Sequence, residues 1–161
     1  MKKYKVGFTA GAFDLCHAGH MLMFKDCKRV CEYLIVALHT DPSLEVEYRK
    51  LAKNQIKNRP VMTVAERMAI LEGIRYVDEI ITYSTEADLR RLLETTRFDV
   101  RILGSDWKGR QYTGWEIPHV AYFHERSHNY STSDLRSRIY QAELERLESM
   151  SSKAVPAMER F

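Results

Sequence analysis

Apolar and polar positions along the chain follow two rhythms. Short, nearly unbroken apolar runs recur at residues 5–10, 33–38, 79–82, 98–103 and 119–123, each the length of a strand. The run at 33–38, Tyr-Leu-Ile-Val-Ala-Leu, is continuous enough for a strand buried on both faces of a parallel sheet. Between the runs lie helical segments. Residues 21–30 read as an amphipathic helix, and strand–helix–strand at this spacing is a right-handed βαβ unit. Thr63-Val64-Ala65-Glu66 forms a capping box that announces a helix to about Gly73. Ser84 or Thr85 caps another, with Leu89, Leu92 and Leu93 on one face. Ser131-Thr132-Ser133-Asp134 opens the last, along which Leu135, Ile139, Leu144 and Leu147 keep helical spacing until the pattern decays after Ser149. The predicted architecture is α/β, a Rossmann-like doubly wound parallel sheet with ligands at the C-terminal ends of its strands.

One stretch breaks both rhythms. Residues 43–60 set Arg49, Lys50, Lys53, Lys57 and Arg59 against Glu45 and Glu47 without clean periodicity, and read as a mobile basic loop. No repeat or low-complexity segment is visible. One domain over residues 1–149, followed by a flexible tail over 150–161, accounts for the pattern.

Composition narrows the function more than the fold. The 161 residues are 45% apolar and 29% charged, with a formal net charge of +3, which suits an anionic small molecule. The interleaved aromatic and basic residues of a single-strand platform are missing, so nucleic acid is set aside as a partner. No apolar run reaches the roughly 18 residues of a membrane span, and no export signal precedes the first strand. A cytoplasmic protein without a membrane partner is expected. Cys27 and Cys31, one helical turn apart, read as small buried residues and not as metal ligands; no metal site of the protein's own is expected. Cys16 is the thiol placed to be reactive.

The candidate chemistry centres on Gly11-Ala12-Phe13-Asp14-Leu15-Cys16-His17-Ala18-Gly19-His20. A strand that breaks at glycine and passes into a helix leaves unpaired N–H groups facing outward, where an anion finds donors and a favourable dipole. His17 and His20 add side-chain donors, and Gly19 leaves room for close approach to the backbone. Two imidazoles there can stabilise charge on a reacting phosphate. The plain alternative is that one imidazole caps the helix and the other faces solvent. Arg126, Ser131, Thr132 and Ser133 form a second group of phosphate donors at a helix start, or else the hydroxyls are merely caps. Asp106 and Trp107, beyond the run at 98–103, suit a ribose or base, or else are a capping aspartate and a buried indole.

The string Gly-x-Phe-Asp-x-x-His-x-Gly-His resembles the HxGH motif of the cytidylyltransferases, within the nucleotidyltransferase superfamily. Four further segments are similar to that family in the same order. They are Lys57-Asn58-Arg59-Pro60-Val61-Met62, Arg75-Tyr76-Val77-Asp78-Glu79, Gly104-Ser105-Asp106-Trp107-Lys108-Gly109, and Arg126 with Ser131 to Ser133. The third looks like glycerol-3-phosphate cytidylyltransferases in particular. The chain departs from the pattern at Ala12, Ser105 and His128 to Tyr130.

The resemblance implies a nucleotidyltransferase fold and transfer of CMP from CTP to a phosphorylated alcohol such as glycerol 3-phosphate, with release of pyrophosphate. It gives the catalytic role to His17, His20, Lys57 and Arg126. Nucleotide contacts fall to Ala10, Gly11, Ala12, Phe13, Asp14, Gly19, Arg75, Gly104, Asp106, Trp107, Ser131, Thr132 and Ser133. Mg²⁺ is expected to enter with the triphosphate, and a homodimer is implied. An adenylyltransferase acting on a sugar phosphate or nucleotide would share this phosphate machinery, and a non-catalytic nucleotide sensor is the rival of another class.

Overall fold

The computed structural model describes residues 2–45 and 58–153. Five parallel strands, β1 (Tyr4–Gly11), β2 (Cys31–His39), β3 (Glu79–Tyr83), β4 (Val100–Gly104) and β5 (Val120–His124), form one sheet in the order β3-β2-β1-β4-β5. Helix α1 (Ala18–Val30) joins β1 to β2, α2 (Val64–Glu72) precedes β3, α3 (Glu86–Thr95) joins β3 to β4, and α4 (Thr132–Lys153) follows β5. This is the doubly wound, Rossmann-like nucleotidyltransferase fold.

The buried central strand explains the continuous apolar run. Along β2, Leu34, Val36 and Leu38 face a core shared with Phe24 and Cys27 of α1 and Leu71 of α2. Ile35 and Ala37 face the opposite core, with Phe8 of β1 and Leu89 and Leu93 of α3. The switch between the two layers falls between β1 and β4, where a crevice opens at the C-terminal edge.

Element boundaries move where polar side chains intervene. Helix α1 starts at Ala18, ahead of its apolar periodicity, because His17 supplies the cap. Strand β4 starts at Val100 because the Asp99 carboxylate turns back to accept the N–H groups of Lys5 at 3.0 Å and Val6 at 2.8 Å. Helix α4 continues through Lys153, past Ser149, where its apolar pattern fades. Thr63 and Glu66 form the expected capping box, and Thr85 caps α3 with Asp88. The expected basic loop falls largely on residues 46–57, outside the described residues; its start is seen as a short 3₁₀ turn, Pro42–Leu44, capped by Asp41, and its end as the irregular segment 58–60. No helix among the described residues is long and apolar enough to cross a membrane.

One expectation from the sequence changes, and one tie is new. The Asp78 carboxylate accepts from Lys28 Nζ and from the Leu34 N–H, both at 2.6 Å, pinning α1 to the start of β2. Cys16 is not a reactive thiol, because burial pushes its pKa up to about 11. Cys27 and Cys31 are buried as expected, and the Cys31 thiol donates to the Cys27 carbonyl.

Candidate active site

The break after β1 is held in an uncommon backbone. Phe13 and Leu15 both take left-handed conformations, with φ of 49° and 47°, a strain of about 1–3 kcal/mol each for non-glycine residues. The turn is fixed from within and without. The Phe13 ring is buried against Phe24, with centroids 5.2 Å apart. The Asp14 carboxylate accepts the N–H groups of Val61 and Met62, each at 3.0 Å, and Arg136 of α4 lies 3.6 Å from it. Asp14 therefore ties the loop to the segment entering α2.

Arg67 completes the frame from below. It is 2% exposed. Its guanidinium donates to the carbonyls of Ala12 at 2.8 Å, His39 at 2.7 Å, Met62 at 3.1 Å, and Thr40. One planar fork thus joins the ends of β1 and β2 to the start of α2. Arg67 was not singled out in the sequence, although its helical spacing from Leu71 places it on the buried face of α2.

His17 and His20 share the end of α1. His17 Nδ1 accepts the Gly19 N–H at 3.1 Å, and His20 Nδ1 accepts the His17 N–H at 3.4 Å. With both Nδ1 atoms accepting, the neutral rings carry their protons on Nε2. The rings stack at 4.0 Å, and His17 Nε2 lies 3.3 Å from Thr132 Oγ1 at the start of α4. Both histidines favour the neutral form. Burial is the main cause for His17, with Arg126 and His128 adding to it. Burial also pushes His20 down to about 3, assisted by His17 and Arg126 and opposed by Asp14. Both imidazoles therefore cap the helix, through Nδ1, which leaves the chemical role of the pair to their Nε2 atoms.

These groups face one cavity at the β1–β4 switch. Of the residues singled out in the sequence, Ala10, Gly11, Ala12, Phe13, His17, Gly19 and His20 line it from β1 and α1. Gly104, Asp106, Arg126, Ser131 and Thr132 line it from the far side. At Gly104 a Cβ would stand 2.5 Å from Asp106 Oδ1, so only glycine lets the carboxylate fold back there. The space above Gly19 is taken by the rings of His17 and His128, each with an atom 2.9 Å from where a Cβ would lie. His128, one of the departures from the family pattern, therefore closes over the HxGH glycine.

Other candidates lie elsewhere. Asp14 and Ser133 line a neighbouring cleft, with Arg136. Trp107 packs edge-on to Tyr112, at 6.5 Å, and is not in the cavity wall. Arg75 is exposed just before β3, at the opposite edge of the sheet, where it donates to the Tyr76 hydroxyl at 2.6 Å. Lys57 lies outside the described residues. Among the described residues, His39, Glu45 and Glu86 bring ligand atoms within 4.8 Å of one another, but none of the three lines the cavity.

A family model described as cytidylyltransferase-like matches residues 8–138. The bifunctional protein HldE of Hahella chejuensis (strain KCTC 2396) is 33% identical over 115 residues, covering 70% of this chain and 22% of that protein. HldE of Campylobacter curvus (strain 525.92) is 30% identical over 139 residues, covering 86% and 28%. The chain spans about a quarter of the length of these curated relatives. Among solved structures, the lipopolysaccharide core biosynthesis protein of Thermoplasma volcanium GSS1 superposes with a TM-score of 0.53 at 20% identity. It covers 79% of this chain and 99% of that one, a likeness of fold.

Proposed function

Because the chain belongs to the cytidylyltransferase-like family, we propose that it transfers a nucleotidyl group from ATP to a sugar phosphate, releasing pyrophosphate. The observation that carries the chemistry is the pair of stacked imidazoles, their tautomers fixed by α1, beside Arg126 and Thr132. The alignment with bifunctional HldE proteins supports the adenylyltransferase branch over the CTP-dependent one. CTP with a glycerol phosphate-like alcohol is the second reading. It rests on the block around Trp107, of which Gly104 and Asp106 line the cavity but the indole does not.

In this reaction an acceptor phosphate oxygen attacks the α-phosphorus in line. A new P–O bond forms as the bond to the β-phosphate oxygen breaks. No side chain need form a covalent intermediate, so positioning and charge stabilisation carry the rate. Nε2–H of His17 and His20 would donate to the α-phosphate oxygens. The anion opposes the burial that keeps these rings neutral, so bound nucleotide raises their proton affinity. Arg126, with Ser131 and Thr132 at the start of α4, would hold the β and γ phosphates. Lys57 is assigned to bridging the two substrates. Asp106 is the one carboxylate among the described residues lining the cavity. That donor set fits Mg²⁺ carried on phosphate oxygens better than a protein cage. A homodimer acting in the cytoplasm belongs to the same proposal.

Pyrophosphate release with ATP or CTP, across sugar phosphates and phospho-alcohols including glycerol 3-phosphate, tests the reading. Release with ATP and a sugar phosphate, slowed by about 10²-fold or more in His17→Asn, is the expected result. Release with CTP and a phospho-alcohol would move the donor to the second reading. Silence with every acceptor, while ATP still raises Tm, would make the protein a sensor. Neither release nor a Tm shift with either nucleotide would sink the nucleotidyltransferase assignment.

A further inference from the structure

Tyr122 and His124 lie two residues apart on β5, so both side chains face the same side of the sheet, toward α1. There Asp26 takes both. Its Oδ2 accepts from the Tyr122 hydroxyl and from His124 Nδ1, each at 2.9 Å. A carboxylate offers no proton, so Nδ1 carries one, and when the ring is neutral Nε2 is a bare acceptor on the side away from α1. That nitrogen is buried and has no hydrogen-bond partner. His124 is only 7% exposed, and its ring forms part of the wall of the cavity that holds His17, His20 and Arg126. A buried acceptor held by a dedicated carboxylate and left unmatched by the protein calls for a donor from the ligand.

We propose that His124 reads the nucleobase: its Nε2 accepts an N–H from the exocyclic amino group of adenine, or of cytosine in a CTP-dependent enzyme, with Asp26 and Tyr122 as positioning residues. Phosphate is a poor match, because its oxygens are acceptors and would meet another acceptor. The phosphate donors are grouped instead at the starts of α1 and α4. His124 pairs in register with Gly104 at the β4–β5 end of the cavity, and Met23 adds an apolar surface to the same wall. The inference rests on the nucleotidyltransferase reading above and deepens it.

The test is the ratio of affinities, read by calorimetry without acceptor, within two amino/keto pairs: ATP against ITP, and CTP against UTP. For the preferred pair, the wild-type protein should favour the amino base at least tenfold. In His124→Phe that ratio should collapse to within about threefold, because the donor no longer has a specific partner. Asp26→Asn leaves the imidazole in place but releases its tautomer, and should also shrink the ratio. It serves if the phenylalanine variant does not fold. Retention of the wild-type ratio in folded variants of both residues would overturn the assignment while leaving the transferase reading intact. So would a variant that loses discrimination against the 2′-deoxynucleotide instead, since the ribose hydroxyl would then be the donor. A wild-type protein that binds no nucleoside triphosphate would overturn the reading on which the inference rests.

Discussion

His17 and His20 cap the same helix reciprocally, each imidazole accepting a backbone N–H through Nδ1, and their rings stack at 4.0 Å. The hydrogen bonds that begin α1 are therefore the ones that set which ring nitrogens can donate to a substrate. Structure and chemistry are coupled in one turn, and substitution can separate them.

Asparagine caps helices as well as any residue but has no counterpart of Nε2–H at that reach. His17→Asn should leave Tm within about 2 °C of the wild type, while kcat falls by about 10²–10³-fold, the usual loss for one transition-state donor. His17→Ala should lose the cap too, at about 1 kcal/mol. Thermal denaturation and pyrophosphate release on both variants check the separation. Equal activity in asparagine and wild-type proteins would reduce His17 to a cap.

The burial of His20 makes the free protein acid-sensitive. Its pKa is about 3 when folded, against an ordinary 6.5. Between those values the unfolded chain binds a proton that the folded one refuses, so stability is complete above pH 6.5 and falls as pH drops toward 3. His17 and His119 are lowered as well and add to the slope. In His20→Gln, glutamine can keep the reciprocal cap without titrating. Urea midpoints from pH 4 to 8 should therefore show a shallower fall. An unchanged slope would remove His20 as its source.

Arg67 is the strut beneath the loop. Replacing it by methionine keeps much of the apolar stem but leaves four inward carbonyls short of a donor, and each unsatisfied group costs about 1–3 kcal/mol. A loss on the order of 3 kcal/mol or more in chemical denaturation is expected. Lysine, a point charge without the fork, should recover only part of it. A methionine variant as stable as the wild type would show that water replaces the guanidinium.

The strands and helices were legible because burial on both faces writes itself as unbroken apolar runs, and because Thr63–Glu66 and Thr85–Asp88 use the usual capping alphabet. The same alphabet hid the start of α1, since histidine is not among its common letters. Arg67 was not singled out, although its helical spacing from Leu71 marks the buried face. Asp78 and Asp26 were harder still. Their partners lie 50 and 98 residues away, Lys28 for the first and His124 for the second, and no local pattern predicts such pairs. The residues proposed to hold phosphate were thus visible as motifs, whereas the Asp26–His124 pair exists only once the sheet has formed.

Gly19 offers a case in which propensity and packing point in opposite directions. Alanine is preferred over glycine inside a helix by about 1 kcal/mol. At this position, however, a Cβ would stand 2.9 Å from ring atoms of both His17 and His128. Gly19→Ala should give no gain in Tm and should reduce kcat at least tenfold, as the His17 ring moves from its cap. A variant both more stable and fully active would show that the rings yield freely.

Asp14 tests whether the strained turn is held from outside. Phe13 and Leu15, on either side of it, occupy left-handed conformations, and such strain persists only where the surroundings over-determine it. Both Asp14 oxygens are used by the amides of Val61 and Met62, and its backbone carbonyl accepts from Thr132. Asparagine has one acceptor in place of two, so one of those amides would face an NH₂ group, donor against donor. Asp14→Asn should cost on the order of 2 kcal/mol. It should also speed amide hydrogen exchange at Val61 and Met62 more than at Leu34 or Val36 of the central strand. Because the turn carries the chain straight into His17, turnover should fall even where the variant is fully folded. Unchanged exchange at the two amides would show that the turn keeps its shape without the carboxylate, with Arg67 and the packing of Phe13 sufficient to hold it.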